Sequence, residues 1–275
     1  LNVAVVEKEY LGTGQIAESS RVDNYPGIPG IDGYSLGEKF REHAESLGVE
    51  FTEAQVLSLG QKDGIWIIGC DEDITLESKA VIYATGCKNR PLGVPGEEKY
   101  YGRGLSFCAV CDGAFYKGKR VAVIGGGDTA LDDAMYLSDI CEKVYLVHRR
   151  EFFRGSASTL EKLKQKENVE IIVNARVEEI TGDKKIDGII LDNKTKLNIS
   201  GLFAAVGMIP QTELLKEFGV LDESNYVKAS EDTKTTVNGL FAAGDVRTKQ
   251  LRQVVTAAAD GANAIYSVME YLRNI

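Results

Sequence analysis

The feature that most constrains this chain is an apolar run, Val121-Ala122-Val123-Ile124, that stops at Gly125-Gly126-Gly127 and resumes as Asp128-Thr129-Ala130 with helical spacing behind it. Strand, glycine turn and helix in that order open a dinucleotide-binding βαβ unit. In Gly125-x-Gly127-x-x-Ala130 the first glycine permits the tight turn, the second lets backbone approach a pyrophosphate, and Ala130 keeps helix and sheet close. The helix start, with Asp128 and Thr129, offers unpaired N–H groups to the anion. The residue that reads the ribose belongs about 20 positions on. There the chain has no acid but His148-Arg149-Arg150, followed by Arg154. An acid would repel a 2′-phosphate, whereas guanidinium groups bind it through charge-assisted, often bidentate contacts. The expected nucleotide is therefore NADPH rather than NADH. Asp128 reads either as a helix cap or as a cofactor contact.

A second motif, Cys108-Ala109-Val110-Cys111-Asp112, lies just upstream. A Cys-x-x-Cys pair closes a small disulfide ring with little backbone movement. A helix beginning at the first cysteine favours its thiolate, and exchange then runs through a mixed disulfide. The carboxyl of Asp112 can shuttle the proton that a leaving thiolate needs. Zinc is the alternative, but one pair supplies two of four ligands. Cys70, Cys87, Cys141, His43 and His148 lack paired ligand spacing, so no metal site is expected. Cys70 and Cys141 read as small core residues and Cys87 as inert.

The 275 residues carry a formal charge of −9 with no long basic block, which argues against a nucleic-acid partner. No apolar run approaches the ~18 residues of a membrane span. At 44% hydrophobic and 27% charged, the chain has material for real cores under a polar surface. Five cysteines are too few for a disulfide scaffold and fit a reducing, cytoplasmic compartment.

Hydride arrives as two electrons together, while disulfide exchange moves thiolates. An intermediate carrier is needed, and flavin chemistry supplies it. A second nucleotide site, for FAD, is therefore expected. Leu1 to Val6 reads as the second strand of another βαβ unit, with Glu7 at its end to bind a ribose hydroxyl. The Gly-rich turn of such a unit belongs about 20 residues earlier, before residue 1, so the chain is read as lacking its true N-terminus. Gly12-Thr13-Gly14-Gln15 and Asn24 are candidates for a loop toward the flavin ring. Gly244-Asp245 is the candidate for the pyrophosphate or ribityl region.

Periodicity predicts a helix over 34–47, with Leu36, Phe40, Ala44 and Leu47 on one face. Short strands are expected at 56–59, 65–68 and 79–84, and a breaker-rich linker at 89–96. A second set follows: strand 120–124, helix 128–139, strand 143–147, a helix near 156–167, and short strands to 206. After a second linker at 207–210 come a strand at 240–243 and a helix over about 251–272. The stripe Ala258, Ala262, Ile265, Met269 and Leu272 on that helix is expected to face the core.

The ordered set of motifs resembles the low-molecular-weight, bacterial and archaeal type of thioredoxin reductase along all 275 residues. The likeness rests on Gln15, Asn24-Tyr25-Pro26-Gly27, Ala84-Thr85-Gly86, the Cys108–Asp112 motif, the glycine turn and the His-Arg-Arg segment. It continues through Gly239-Leu240-Phe241-Ala242-Ala243-Gly244-Asp245-Val246, Arg252-Gln253 and Thr256-Ala257-Ala258-Ala259-Asp260-Gly261. The family more often has adjacent glycines where this chain has Gly12-Thr13-Gly14-Gln15. The resemblance implies an α/β protein of two Rossmann-like, three-layer (ββα) domains. An NADPH and dithiol domain, 89–210, is inserted into a discontinuous FAD domain, 1–88 and 211–275. It implies a homodimer that reduces thioredoxin or a thioredoxin-like protein, with Cys111 facing the flavin, Cys108 attacking the partner disulfide and Asp112 as acid–base group. It adds Thr85, Gly86, Asp245, Arg252, Gln253 and Val254 to the FAD site, and hinges near 87–92 and 207–212. Two other readings stand beside it: the flavoprotein of a peroxide-reducing system, and a flavin-free NADP-binding module without turnover.

Overall fold

The computed structural model describes residues 1–9, 14–19 and 21–275. Gly12 and Thr13 of the expected flavin loop lie outside the described residues. The chain divides into two compact units, Leu1–Lys88 with Ile209–Ile275, and Asn89–Met208.

In the first unit β1 (Ala4–Glu7) runs through α1 (Gly33–Ser46) to β2 (Glu50–Glu53), a parallel pair with Ala4 opposite Glu50 and Glu7 opposite Glu53. Asp32 starts α1, its Oδ1 accepting the Ser35 N–H at 2.9 Å. Of the expected α1 stripe only Leu36 is fully buried, and Phe40 and Leu47 are exposed. Strands β3 (Val56–Lys62), β4 (Ile65–Cys70) and β5 (Thr75–Ser78) make an antiparallel meander. Its first turn sits on Asp63 and Gly64, both at positive φ. Then come β6 (Val81–Tyr83) and β7 (Cys87–Asn89).

The second unit contains β8 (Leu105–Ser106), α2 (Ala109–Asp112), β9 (Arg120–Ile124), α3 (Asp128–Ser138), β10 (Lys143–Val147), α4 (Ala157–Lys164) and β11 (Val169–Ile172). The meander β12 (Val177–Thr181), β13 (Gly188–Leu191) and β14 (Lys196–Asn198) follows, then β15 (Gly201–Ala204). Five strands form one parallel sheet in the order β11-β10-β9-β15-β8. Alternate residues of β9 enter different cores, as a strand's period of two requires. Ala122 and Ile124 pack with Ile189 and Leu191 of the meander. Val121 and Val123 pack with Ala130, Leu131, Ala134 and Leu137 of α3 and Leu163 of α4. Burial on both faces is why β9 reads as an unbroken apolar run instead of an alternation. The layers are meander, parallel sheet and helices, which is the expected ββα arrangement.

The chain leaves this unit through β16 (Met208–Pro210), which pairs with β7, so the two crossing segments hydrogen-bond to each other. In the first unit again, β17 (Leu240–Ala242) lies parallel to β6 with Leu240 opposite Val81. Trp66, Tyr83, Leu215, Val220, Val227, Leu240 and Val246 build the core there. The last element is α5 (Val254–Arg273). Its buried residues are Asp260, Ala264, Ser267 and Val268. Ile265 and Met269 are exposed, as are Ala258 and Ala262, so the expected core stripe is corrected. The buried face carries polar side chains that find partners: Ser267 Oγ donates to the Asp232 carbonyl at 2.6 Å, and Asp260 pairs with Arg247. Hydrophobic spacing alone does not register such a face. No described helix is long and apolar enough to cross a membrane.

Candidate active site

In the second unit, β8, β9 and β10 each deliver a functional loop at the C-terminal edge of the parallel sheet, where α/β folds place their ligands. β8 leads to the dithiol. Cys108 and Cys111 form a disulfide with a Cα–Cα distance of 5.3 Å. Cys108 has extended backbone and caps α2, its Sγ accepting the Cys111 N–H at 3.2 Å. Once the pair is reduced, that donor favours negative charge on Cys108 Sγ. Both cysteines are half-buried. Val110 and Phe115 beside them are 58% and 45% exposed, an apolar rim that sequence reading did not single out. Burial pushes the Asp112 carboxyl above its ordinary range, and a hydrogen bond with Ser106 pulls it partly back.

β9 leads to the glycine turn. A Cβ on Gly125 would lie 2.3 Å from the Ala205 carbonyl oxygen and 2.7 Å from Ala130 Cβ, so this glycine and the fully buried Ala130 allow turn and helix to meet. A Cβ on Gly126 would fall 2.2 Å from the His148 ring, whereas Gly127 has nothing within 4 Å of its Cβ position. Gly127 is also the N-cap of α3 and supplies no side-chain bond to the helix's free N–H groups. An open glycine over uncapped amides suits a pyrophosphate. Thr129 is exposed on the same first turn. Asp128 does not cap its own helix; its Oδ1 accepts the Ser156 N–H at 2.7 Å.

β10 leads to the basic segment. Arg149, Arg150 and Arg154 are exposed, and none has an acidic partner in an ion pair among the described residues. All three stand close enough to His148 to act on its ring, which burial first and then their charges hold below the ordinary histidine range. His148 itself is buried. It stacks on Phe153 with ring centroids 4.8 Å apart, and its Nε2 lies 3.2 Å from the Phe152 carbonyl oxygen. It thus props the arginine-bearing loop against Gly126. The N–H groups of Arg154 and Gly155 complete the docking by donating to the Gly126 carbonyl at 2.7 and 3.2 Å. Gly155 belongs to the site although sequence reading passed over it, because a Cβ there would strike the Asp128 nitrogen at 2.8 Å.

The first unit gathers most of the expected flavin residues into one hydrogen-bonded cluster. Gln15 Nε2 donates to the Cys87 carbonyl at 2.8 Å, and Cys87 Sγ donates to the Asp245 carbonyl at 3.0 Å. Arg252 Nε reaches the same carbonyl at 3.1 Å and lies over the Tyr226 ring. Asn24 Nδ2 donates to Gln253 Oε1 at 2.7 Å, immediately before Val254 opens α5. Thr85 Oγ1 donates to the Gln211 carbonyl, and the Gln211 N–H to the Gly86 carbonyl. Gly14, Gly86 and Gly244 all sit at positive φ, where turns need glycine. Gly244 is pinned by its N–H to Asp260 Oδ2 at 2.8 Å, and Asp260 is in turn held by the buried Arg247 and Lys249. Sequence reading did not assign Asp260 this role. Burial raises the Cys87 thiol to about 11, which keeps it a neutral thiol. Glu7 lies apart from this cluster at the end of β1, its carboxyl raised by burial.

Asp245 supplies the test of fit for a flavin nucleotide. Its Oδ1 is buried and has no hydrogen-bond partner, and burial raises its carboxyl. A buried acceptor without a donor is costly, and a hydroxyl-rich ribityl chain or ribose carries the donors it lacks.

A family model described as pyridine nucleotide-disulphide oxidoreductase matches residues 1–261. The chain belongs to that family. Thioredoxin reductase of Helicobacter pylori is 39% identical over 285 residues, covering 99% of this chain and 91% of that protein. Thioredoxin reductase of Bacillus subtilis is 35% identical over 283 residues, covering 100% and 88%. The crystal structure of thioredoxin reductase from Streptococcus pyogenes superposes with a TM-score of 0.91 at 37% identity, over 99% of this chain and 90% of that one. A pyridine nucleotide-disulphide oxidoreductase needs a nucleotide cradle and a disulfide, and the second unit of this chain presents both along one sheet edge.

Proposed function

We propose that this chain is an NADPH-dependent, FAD-containing thioredoxin-disulfide reductase. One observation carries the reading: the dithiol, the glycine cradle and three arginines without an acidic partner among the described residues lie at the C-terminal ends of β8, β9 and β10 in a single parallel sheet. Gly125, Gly127 and the uncapped start of α3 receive the pyrophosphate of NADPH. Arg149, Arg150 and Arg154 take its 2′-phosphate, and His148 holds their loop in place. In the other unit, Gly14, Gln15, Asn24, Thr85, Gly86, Gly244, Asp245, Arg252, Gln253 and Val254 hold FAD, with Glu7 on its ribose. FAD, when bound, supplies acceptance of a hydride and release of its electron pair to a disulfide.

The chain's own groups then reduce the partner. The Cys108 thiolate attacks one sulfur of the thioredoxin disulfide, a new S–S bond forms, the partner's S–S bond breaks, and the departing thiolate takes a proton from Asp112. The Cys111 thiol next gives its proton to the Asp112 carboxylate and attacks Cys108 Sγ. The mixed disulfide breaks, the second partner sulfur leaves and takes that proton from Asp112, and Cys108–Cys111 is oxidised again. Two electrons and the two thiol protons end on the partner. Val110 and Phe115 give the partner an apolar seat beside the attacking sulfur. The working form is a homodimer in the cytoplasm, where reducing conditions keep the other cysteines as thiols.

The test is Cys108→Ser in FAD-reconstituted protein. Thioredoxin reduction is expected to disappear while NADPH still bleaches the flavin absorbance. Parallel loss of both would refute the assignment of the attacking sulfur.

A further inference from the structure

The turn that carries Asp245 has three successive peptide groups fastened. The Gly244 N–H donates to Asp260 Oδ2 at 2.8 Å, and the Gly244 carbonyl accepts the Arg247 N–H at 3.3 Å. The Asp245 carbonyl accepts from Cys87 Sγ and Arg252 Nε at 3.0 and 3.1 Å. Oδ1 of the Asp245 side chain, by contrast, is buried and has no partner. The anchor for the first of these groups comes from α5, where the Asp260 side chain is 4% exposed. Its Oδ2 also accepts from Arg247 Nε and Lys249 Nζ, both at 2.8 Å, and its Oδ1 accepts from Arg247 Nη2. Arg247 is as deeply buried, and the Lys249 side chain is 7% exposed. Arg247 Nη1 donates to the Ala229 and Thr248 carbonyls. Each side-chain nitrogen and oxygen of Asp260, Arg247 and Lys249 therefore has a partner.

We propose that Asp260 is a positioning residue for the flavin nucleotide: from α5 it clamps the Gly244 N–H, with Arg247 and Lys249 offsetting its charge, and so holds Asp245 ready for a ligand hydroxyl to meet its unpartnered oxygen. This rests on the FAD reading given above. Desolvation cancels much of the attraction inside a buried ion pair, and apolar residues of the same volume are often as stable. Stability alone therefore gives no reason for three charged groups at this depth. A charged acceptor on one backbone N–H does, because its hydrogen bond is strong and directional. Gly244 sits at φ +76°, and a glycine has little conformational preference of its own, so the turn needs an outside constraint. The two cations of the cluster exceed its one anion. Burial raises the Asp245 carboxyl, and the charges of Lys249 and Arg252 partly offset that rise. Lys249 thereby favours the ionised form of Asp245, the form that accepts from a hydroxyl. A loop ordered in advance spares the ligand the cost of ordering it.

The experiment has two arms. Hydrogen exchange of the Gly244 amide is followed by NMR in FAD-free protein, and FAD affinity is read by flavin fluorescence titration. Asp260→Leu removes the acceptor. Asp260→Leu combined with Lys249→Met removes one charge of each sign and keeps the buried charge as balanced as in the parent. In both variants Gly244 exchange should quicken about tenfold or more, and FAD should bind about tenfold to a hundredfold more weakly, the worth of a hydrogen bond to a charged group. In an Asp245→Ala background, Asp260→Leu should change FAD affinity by no more than about twofold, because the group it positions is gone. Unchanged Gly244 exchange in the folded charge-balanced variant overturns the proposal. So does an affinity loss of equal size with and without the Asp245 carboxyl, since Asp260 would then act on the fold and not through Asp245. A parent protein whose Gly244 amide is protected through Asp260 but which takes up no FAD would instead count against the proposed function.

Discussion

In the proposed exchange Asp112 gives the leaving thiolate its proton, and burial keeps its carboxyl protonated to higher pH than an exposed aspartate. The raised value sets the sign of the pH dependence. The acid form is present below the raised midpoint and is lost as pH rises through it, so thioredoxin turnover should fall on its alkaline side. Asp112→Asn should lower kcat about 10²-fold or more and abolish that limb, while the rate of NADPH-driven flavin bleaching stays unchanged. Steady-state turnover across pH, with stopped-flow bleaching alongside, measures both. Cys87 shows the opposite use of burial: raised to about 11 and donating to the Asp245 carbonyl, it acts as a neutral donor that helps shape the Asp245 loop. The sequence marked Cys108, Cys111 and Asp112 by their spacing. It could not mark Gly155, because a lone glycine gains meaning only from the atoms that fold against it.

Among elements, α3 does the most. Its uncapped start faces the open Gly127, and its first carboxylate, Asp128, reaches the Ser156 N–H and tethers the loop that carries Arg154. Asp128→Ala should release that loop and raise KM for NADPH about tenfold or more, the worth of a charge-assisted hydrogen bond, while KM for NADH barely changes. Equal rises for both nucleotides would mean that Asp128 acts on the pyrophosphate end. Further along, Asp133 is 9% exposed, and burial, with Asp132 adjacent, pushes its carboxyl up to about 7 from 3.8. The folded state therefore holds a proton that the unfolded chain releases. Its favourable contribution is complete below the ordinary value and is lost as pH rises to about 7. Asp133→Asn should raise the melting temperature near pH 8 by several degrees and change it little near pH 4, as calorimetry at the two pH values would show. The strands and helices of this region were legible because β9 and β10 are continuous apolar runs bounded by glycine or charge. α5 was legible as a helix but not in its orientation. Its exposed stripe of Ala258, Ala262, Ile265 and Met269 looks like a core face, whereas its true inner face holds Asp260 and Ser267, satisfied by Arg247 and by the Asp232 carbonyl.

For the whole molecule, the organising fact is that residues 89–208 form a compact unit with their own two-faced core, bracketed by two segments that share another. The motif order predicted two related α/β units, since nucleotide fingerprints and β-rich stretches alternate along the chain, and the family resemblance supplied the ββα layering. What stayed hidden was the set of long-range bonds that make a site from distant residues: Gln15 to Cys87, Asn24 to Gln253, and Gly244 to Asp260. Such pairs have no period and no fixed spacing. The central claim, that electrons from NADPH arrive at the sulfur pair beside its own binding cradle, is open to one direct measurement. FAD-reconstituted protein is treated anaerobically with NADPH, alkylated, and mapped by mass spectrometry. The expected result is label on Cys108 and Cys111 only after NADPH, with a partner disulfide then reduced in proportion. A Cys108–Cys111 disulfide that stays closed while the flavin is fully bleached would contradict it.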